Sequence, residues 1–359
     1  MRPQRGRIAG YCLLAGLAAL TGVSLWLTSS DKLETFLYQP IGIMGTETSL
    51  TAVVEAGREA RARDALQAAE AALRDVEAHM SSWLERSEVS LLNEAPAGRS
   101  VPLSSETMDL LRRSSGLARQ TQGCFDVTCR PIVELWKRSG RENRLPTDAE
   151  IALARGDTGW RHIELLDGGA RKRIDGAGVD LGGVAKGYAI DKAAEAMRAA
   201  GAVGGVVDVG GDVRCFGRRA DGGTWKIGIR NPFKTDEIFA RLAMNEGAVC
   251  TSGNYFRSVT IAGRRYSHIV DPRTGRPVDA AASVTVVAAN TTDADAWATG
   301  LSVLGSEGLK LLGAQGGIEA MIIVGGPGDY QLHVTDGFKK LLADELPAPR
   351  QPKTGTNHP

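Results

Sequence analysis

Short stretches of strand character alternate irregularly with helical stripes along this chain, and that mixture limits what it can fold into. Residues 48–55 read as a strand, after which Leu66, Ala69, Leu73, Val76 and Met80 step alternately by three and four, one face of a helix. A second helix is predicted from Ser104, a good N-cap, to about residue 122, where Gly123 can stop it. A third covers 186–200, with Ile190, Ala193, Ala194 and Met197 on one face and Gly201 past its end, and a fourth covers 293–304, closed by Gly305. Strands are predicted at 203–209, 225–230, 238–244, 284–289 and 321–324, and Asp221-Gly222-Gly223 reads as a hairpin turn. The 44 glycines, beside only 5% aromatic residues, suit a molecule rich in tight turns. Neighbouring strands joined by turns favour an α+β fold with mainly antiparallel sheets and packed helices over a doubly wound one.

With 359 residues the chain can bury a substantial core. Its 43 basic and 42 acidic side chains leave a formal net charge of +1, so no broad basic surface is available and nucleic acid is excluded as the expected partner. The N-terminus carries a stronger signal. Arg2, Arg5 and Arg7 precede a run that is apolar over residues 8–27. That run matches the ~20 residues of a spanning helix better than the ~7–15 of a cleavable signal. Leu25-Trp26-Leu27 carries it past Gly22-Val23-Ser24, a weak cleavage candidate. A retained transmembrane anchor is therefore preferred to a cleaved signal. Either one exports the body, to the periplasmic side of a bacterial inner membrane. The arginines are not paired as a twin-arginine signal requires, and Cys12 lacks the setting of a lipoprotein cysteine. The expected organisation is a signal or anchor over 1–30, a linker over 31–40, one globular domain over 41–346 and a disordered tail over 347–359. Cys124, Cys129, Cys215 and Cys250 fit no Cys-x-x-Cys metal pattern. Export permits disulfides, but buried thiols are the preferred reading.

Four segments carry possible chemistry, and each has an ordinary structural explanation. In Asp180-Leu-Gly-Gly-Val-Ala-Lys-Gly-Tyr188, the glycines at 182, 183 and 187 let backbone amides approach a ligand at a helix start, and Lys186 adds a point charge. The plain alternative is a Gly-rich turn capped by Asp180. Asp295 and Thr299 stand i, i+4 on one helix, so their oxygens share a face and suit a hard cation such as Mg²⁺. Asp293 and Asp295 equally suit the positive end of the helix dipole. Tyr266-Ser-His-Ile-Val-Asp-Pro-Arg-Thr-Gly-Arg-Pro277 places His268, whose ordinary pKa suits proton transfer near neutrality, beside a tight turn. A lone histidine is more often a structural hydrogen-bonder. Thr251-Ser-Gly-Asn-Tyr-Phe-Arg257 is a polar turn with no chemistry of its own.

Taken in order after Met44-Gly45-Thr46, Met80-Ser81-Ser82-Trp83 and Gly123-Cys124-Phe125-Asp126, these segments resemble the FAD:protein FMN transferase family, the ApbE-like proteins, over residues 42–325. The resemblance implies one catalytic domain with FAD as substrate, its site lined by Met44, Trp83, Cys124, Phe125, Asp126, Asp180, Lys186 and Ile269. It implies a divalent cation, Mg²⁺ or another, held by Asp295 and Thr299 with a backbone oxygen of Gly183. The glycine-rich loop and the Asp295/Thr299 face would then converge on the FAD pyrophosphate.

The implied reaction joins FMN to a Thr or Ser hydroxyl of an exported or membrane-bound flavoprotein, a subunit of a respiratory or ion-pumping complex, and releases AMP. His268 is the expected general base, with Asp271 a weaker one. Cys124 stands where the family usually has Ala, and Cys129 where an aliphatic residue is common; redox sensitivity is the expected consequence. Ala298 stands where a second acidic residue is sometimes found, so a weaker metal site is expected. Two other readings use the same residues: an FAD pyrophosphatase that gives the phosphoester to water, and a flavin-binding accessory protein without chemistry.

Overall fold

The computed structural model describes residues 32–253, 258–278 and 281–347. The expected anchor over 1–30 and the tail beyond 347 lie outside the described residues. Among those described, no helix is long and apolar enough to cross a membrane.

The strands that position the site are β1 (Leu33–Tyr38), β2 (Thr48–Glu55), β3 (Gly204–Val209), β4 (Asp212–Gly217), β5 (Trp225–Arg230), β6 (Ile238–Met244), β7 (Gly247–Gly253), β8 (Ser283–Ala288), β9 (Glu319–Gly326) and β10 (Asp329–Val334). Eight of them form one sheet in the order β1-β2-β3-β4-β7-β8-β9-β10, with every pairing antiparallel. β5 and β6 form a separate antiparallel pair. Three smaller sheets complete the β structure described.

Alternation along the strands assigns the two faces of the large sheet. Leu50 and Ala52 of β2 and Val207 and Val209 of β3 belong to the main core, whereas Val53, Val213 and Cys215 belong to a second one. The main core is roofed by α1 (Glu59–Met80), α4 (Ala185–Ala199) and α5 (Thr291–Leu304). α1 buries Ala62, Ala65, Leu66, Ala69, Leu73, Val76 and Met80, the stripe its sequence predicts, and lies along α4. The second core is closed by the β5–β6 pair and by Phe338. β8 is buried at every residue, Ser283 and Thr285 included, so both of its faces lie against the protein interior.

Three further helices matter for the site. α2 (Ser105–Gln120) begins at Ser104, whose hydroxyl accepts the Thr107 N–H. It ends two residues before the expected stop, with Gln122 and Gly123 at positive φ and the Gly123 N–H bonded to the Ala118 carbonyl. α3 (Arg130–Glu142) was not predicted: its apolar stripe, Ile132, Leu135 and Trp136, is short, and Pro131 in its first turn masks the pattern. Asp148–Asp157 is also helical, opened by a capping box between Thr147 and Glu150. In chain order these three helices precede α4.

Two expectations are corrected. Residues 33–38, expected within a linker, form β1 at the sheet edge, paired from Leu33 against Glu55 to Tyr38 against Leu50. An edge strand needs only one buried face, and Leu33 and Phe36 are its only half-buried residues, so the sequence signal is weak. The Asp221-Gly222-Gly223 turn does not close a hairpin. Asp221 does accept the Gly223 N–H and Gly222 has positive φ, but the flanking strands β4 and β5 belong to different sheets. Local turn chemistry was read correctly there, and strand pairing was not.

α4 and α5 meet with almost no side chain between them. A Cβ on Gly187 would lie 2.3 Å from the Thr291 carbonyl oxygen and 2.9 Å from Asp295 Cβ. We expect Gly187→Ala to force the helices apart and destabilise the fold by about 1–3 kcal/mol, the usual cost of overpacking; chemical denaturation measures it, and an unchanged midpoint would contradict this packing.

Candidate active site

Asp180 opens the glycine-rich loop. Its backbone N–H bonds the Val127 carbonyl at 2.7 Å, and its Oδ1 accepts the Gly182 N–H at 2.8 Å. The loop then passes Gly183 and enters α4 at Ala185, so the loop and the first turn of α4 bring backbone N–H groups to one place. A Cβ on Gly183 would lie 3.1 Å from Thr299 Oγ1 and 3.5 Å from Phe125 Cε2. Gly183, Thr299 and Phe125, 174 residues apart at the extremes, are therefore neighbours.

Asp295 is buried on α5, and its Oδ2 accepts the N–H of Gly187, the third residue of α4, at 3.0 Å. Burial raises its carboxyl above the ordinary value; the Lys186 ammonium and the Gly187 N–H oppose that rise. Among the described residues no hydrogen bond reaches Asp295 Oδ1 or Thr299 Oγ1. These two oxygen-bearing groups lie one helical turn apart, with Thr299 beside Gly183, and fit a hard cation that takes few protein ligands and completes its shell with phosphate and water. Among the described residues no group of three or more His, Cys, Asp and Glu could hold a metal. Ala298, fully buried, adds no charge.

Lys186 does not extend freely into the site: its ammonium pairs with the buried Asp212, whose other oxygen accepts the Thr251 N–H at 2.9 Å. Asp212 directly follows the Gly210-Gly211 turn, and a Cβ on Gly210 would lie 2.6 Å from Thr46 Oγ1. The Met44-Gly45-Thr46 turn is thereby tied to the start of α4. Met44 itself has φ of 48° and donates its N–H to Glu77 at 2.9 Å, an unusual backbone for a side chain of that size.

Cys124, Phe125 and Asp126 follow α2. Phe125 is wedged beside Gly183 and Gly300, with its N–H held by Thr121. Asp126 caps a short 3₁₀ turn through Thr128 N–H and Oγ1 at 2.9 and 2.7 Å, and burial raises its carboxyl. Cys124, Ile269 and Val303 pack together, so the His268 loop rests on the far end of α5. His268 is exposed on that loop, just beyond strand Arg264–Ser267. Asp271 is buried and engages Arg273 through both oxygens, at 3.0 Å to Nε and 3.0 Å to Nη2. Its carboxylate orders the turn, which it also binds through the Arg273 N–H at 2.8 Å.

Trp83 is 77% exposed, with the Lys137 ammonium 4.7 Å from its ring centroid. It borders a cleft of about 500 Å³ with Arg130, Glu134, Lys137 and Arg141. Arg130 also packs beneath the Asp180 loop, where a Cβ on Gly178 would lie 2.7 Å from its Cδ, so the cleft adjoins the loop. A larger cleft of about 560 Å³ lies under β5, lined by Asp208, Gly211 and Thr251, and includes neither Asp295 nor Thr299. Chemistry locates the site here better than volume.

Sequence reasoning missed Asp191, Asp212, Asn290, Arg113 and Arg214, all of which hold the site elements. Asp191 had a signal: it is charged yet lies four residues after Gly187, on the buried face of its helix. The four described body cysteines are free. Burial pushes the Cys124 thiol up to about 11, and pushes Cys129 well above the ordinary range with help from the Asp180 and Asp126 carboxylates. Thiolate is the reactive form, so the expected redox sensitivity of these two cysteines is not supported. We expect Cys124 to resist iodoacetamide in the folded protein at pH 8 and to react on unfolding; rapid native alkylation, read by peptide mass, would contradict its burial.

Comparison with known proteins identifies the family of the chain. Residues 44–322 match the ApbE family model. A Vibrio cholerae protein named FAD:protein FMN transferase is 32% identical over 276 residues, which cover 76% of this chain and 82% of that one. A Klebsiella pneumoniae protein of the same name is 30% identical over 95% of this chain and 98% of its own. Among solved structures, the flavin transferase ApbE from Vibrio cholerae superposes with TM-score 0.75 at 29% identity, covering 86% of this chain and all of its own. The Thermotoga maritima ApbE protein gives 0.76 at 30% identity over 87% of this chain and all of its own.

Proposed function

The chain belongs to the ApbE family, and on that premise we propose that it transfers the FMN moiety of FAD to a hydroxyl of a partner flavoprotein, with AMP as the other product. The observation that carries this reading is the convergence of Gly183, Asp295 and Thr299 beside a helix start, with Asp295 Oδ1 and Thr299 Oγ1 reached by no hydrogen bond among the described residues. We assign Mg²⁺ to Asp295, Thr299 and the Gly183 carbonyl. When bound, it would neutralise charge on the pyrophosphate and make AMP a better leaving group.

The remaining steps belong to the chain itself. The glycine-rich loop after Asp180 brings the positive end of α4 up to the phosphate, Trp83 offers a ring face for stacking, and Met44, Lys186, Ile269 and residues 124–126 shape and hold the pocket. A Thr or Ser hydroxyl of the acceptor gives its proton to His268 as its oxygen bonds the FMN phosphorus. The bond from that phosphorus to the AMP oxygen breaks, and AMP departs. A base in this role contributes about 10²–10⁴-fold. Uncommitted oxygens at Asp295 and Thr299 favour this reading over an accessory protein without chemistry.

The three N-terminal arginines and the apolar run over 8–27 support export, retained or cleaved, to the periplasmic side of a bacterial inner membrane. The acceptor is then an exported or membrane-bound flavoprotein subunit.

Incubation of the protein with FAD, Mg²⁺ and a co-expressed candidate acceptor tests the proposal. Intact mass should show the acceptor gaining FMN less water; free FMN instead would assign a hydrolase. Asp295→Ala should abolish metal-dependent turnover, and activity undiminished across a Mg²⁺ titration removes that ligand. His268→Ala should bind FAD normally and lose transfer by 10²-fold or more. Transfer near the wild-type rate would make His268 structural.

A further inference from the structure

The two helices that build the metal site cap each other. On α4, Gly187 and Asp191 are four residues apart; on α5, Thr291 and Asp295 are four residues apart. Asp295 accepts the Gly187 N–H, an amide of the first turn of α4. In return Asp191 accepts the Thr291 N–H at 2.8 Å and the Thr292 N–H at 2.9 Å, the first two amides of α5. The third, of Asp293, goes to the Asn290 side chain at 2.8 Å. A helix start leaves such N–H groups without internal partners, so each carboxylate fixes the other helix where its end is otherwise loose.

Asp191 is more fully engaged than Asp295. Its Oδ1 also takes Arg214 Nη1 at 2.9 Å, and its Oδ2 takes Thr292 Oγ1 at 2.6 Å. Arg214 comes from β4, so the start of α5 is anchored to the sheet as well as to α4. Asp191 is itself buried.

We propose that Asp191 is the positioning residue for the metal site: by holding the first turn of α5, it sets Asp295 and Thr299 at the separation from Gly183 that a cation requires. The inference rests on the assignment of Asp295 as ligand. An asparagine in its place keeps the shape but points an amide N–H₂ at amide donors, so the clamp loosens while the core stays filled.

The experiment measures Mn²⁺ dissociation from the FAD-loaded full chain, by the resonance of free Mn²⁺, alongside thermal melting without metal. Asp191→Asn should weaken Mn²⁺ about 10-fold, at the low end for partners that orient metal ligands, and saturating Mn²⁺ should restore most of the transfer rate. Ser104→Ala, which removes the cap of α2 (Ser105–Gln120), serves as a control for general loss of stability and should leave the Mn²⁺ constant unchanged. Should Asp191→Asn not fold, Thr292→Val removes one of the same bonds and should weaken Mn²⁺ several-fold. An unchanged constant in a folded Asp191→Asn or, failing that, Thr292→Val, while Asp295→Ala abolishes Mn²⁺ binding, overturns the role of Asp191 alone. An unchanged constant in Asp295→Ala overturns the ligand assignment and this inference with it.

Discussion

Everything in the site depends on two helices approaching closely enough for their backbones to touch. Gly187 makes that approach possible, since any side chain would strike the Thr291 carbonyl. Once the helices are that near, one carboxylate from each reaches the other's first turn. Asp295 thus caps the first turn of α4 with one oxygen, one helical turn from Thr299, the neighbour of Gly183. The neighbours follow from this contact. Phe125 fits against Gly183 and Gly300, Cys124 and Ile269 pack on Val303, and Lys186, leaving the same first turn, meets Asp212 at the end of the sheet.

Much of the fold was legible in the sequence where one physical signal dominated. The α1 stripe, the Ser104 cap and the glycine stops after α4 and α5 were readable because helical spacing and capping are local properties. β1 was not, because an edge strand with one half-buried face leaves hardly any pattern. The Asp221 turn misled because turn chemistry reports a local bend and says nothing about which strands pair across it. The sheet order as a whole, with β7 placed between β4 and β8, depends on contacts that no local pattern encodes.

The candidate site was legible as a set of segments and not as an arrangement. Asp180, Lys186, Asp295 and His268 were named from residue type and motif order. Their relations came only from the structure: Lys186 is committed to Asp212, Asp271 to Arg273, and Thr299 faces Gly183. Asp191 escaped because a buried carboxylate four residues after a glycine has no meaning until a second helix is known to cross at that glycine. The burial of Cys124 was equally withheld by sequence: its thiol is nearly closed to water, which pushes its ionisation up to about 11.

The Gly187–Asp295 bond also spans 108 residues of chain. Both helices can form early, since helix formation is local, but the loop entropy of joining them must be overcome before either cap is satisfied. Between them in sequence lie β3 to β8, so the crossing closes a loop that contains the central strands. A chain trapped with the wrong strand order would hold normal helix content and no site. At the proposed site, cation affinity would read out completed topology, whereas circular dichroism reads out only its parts.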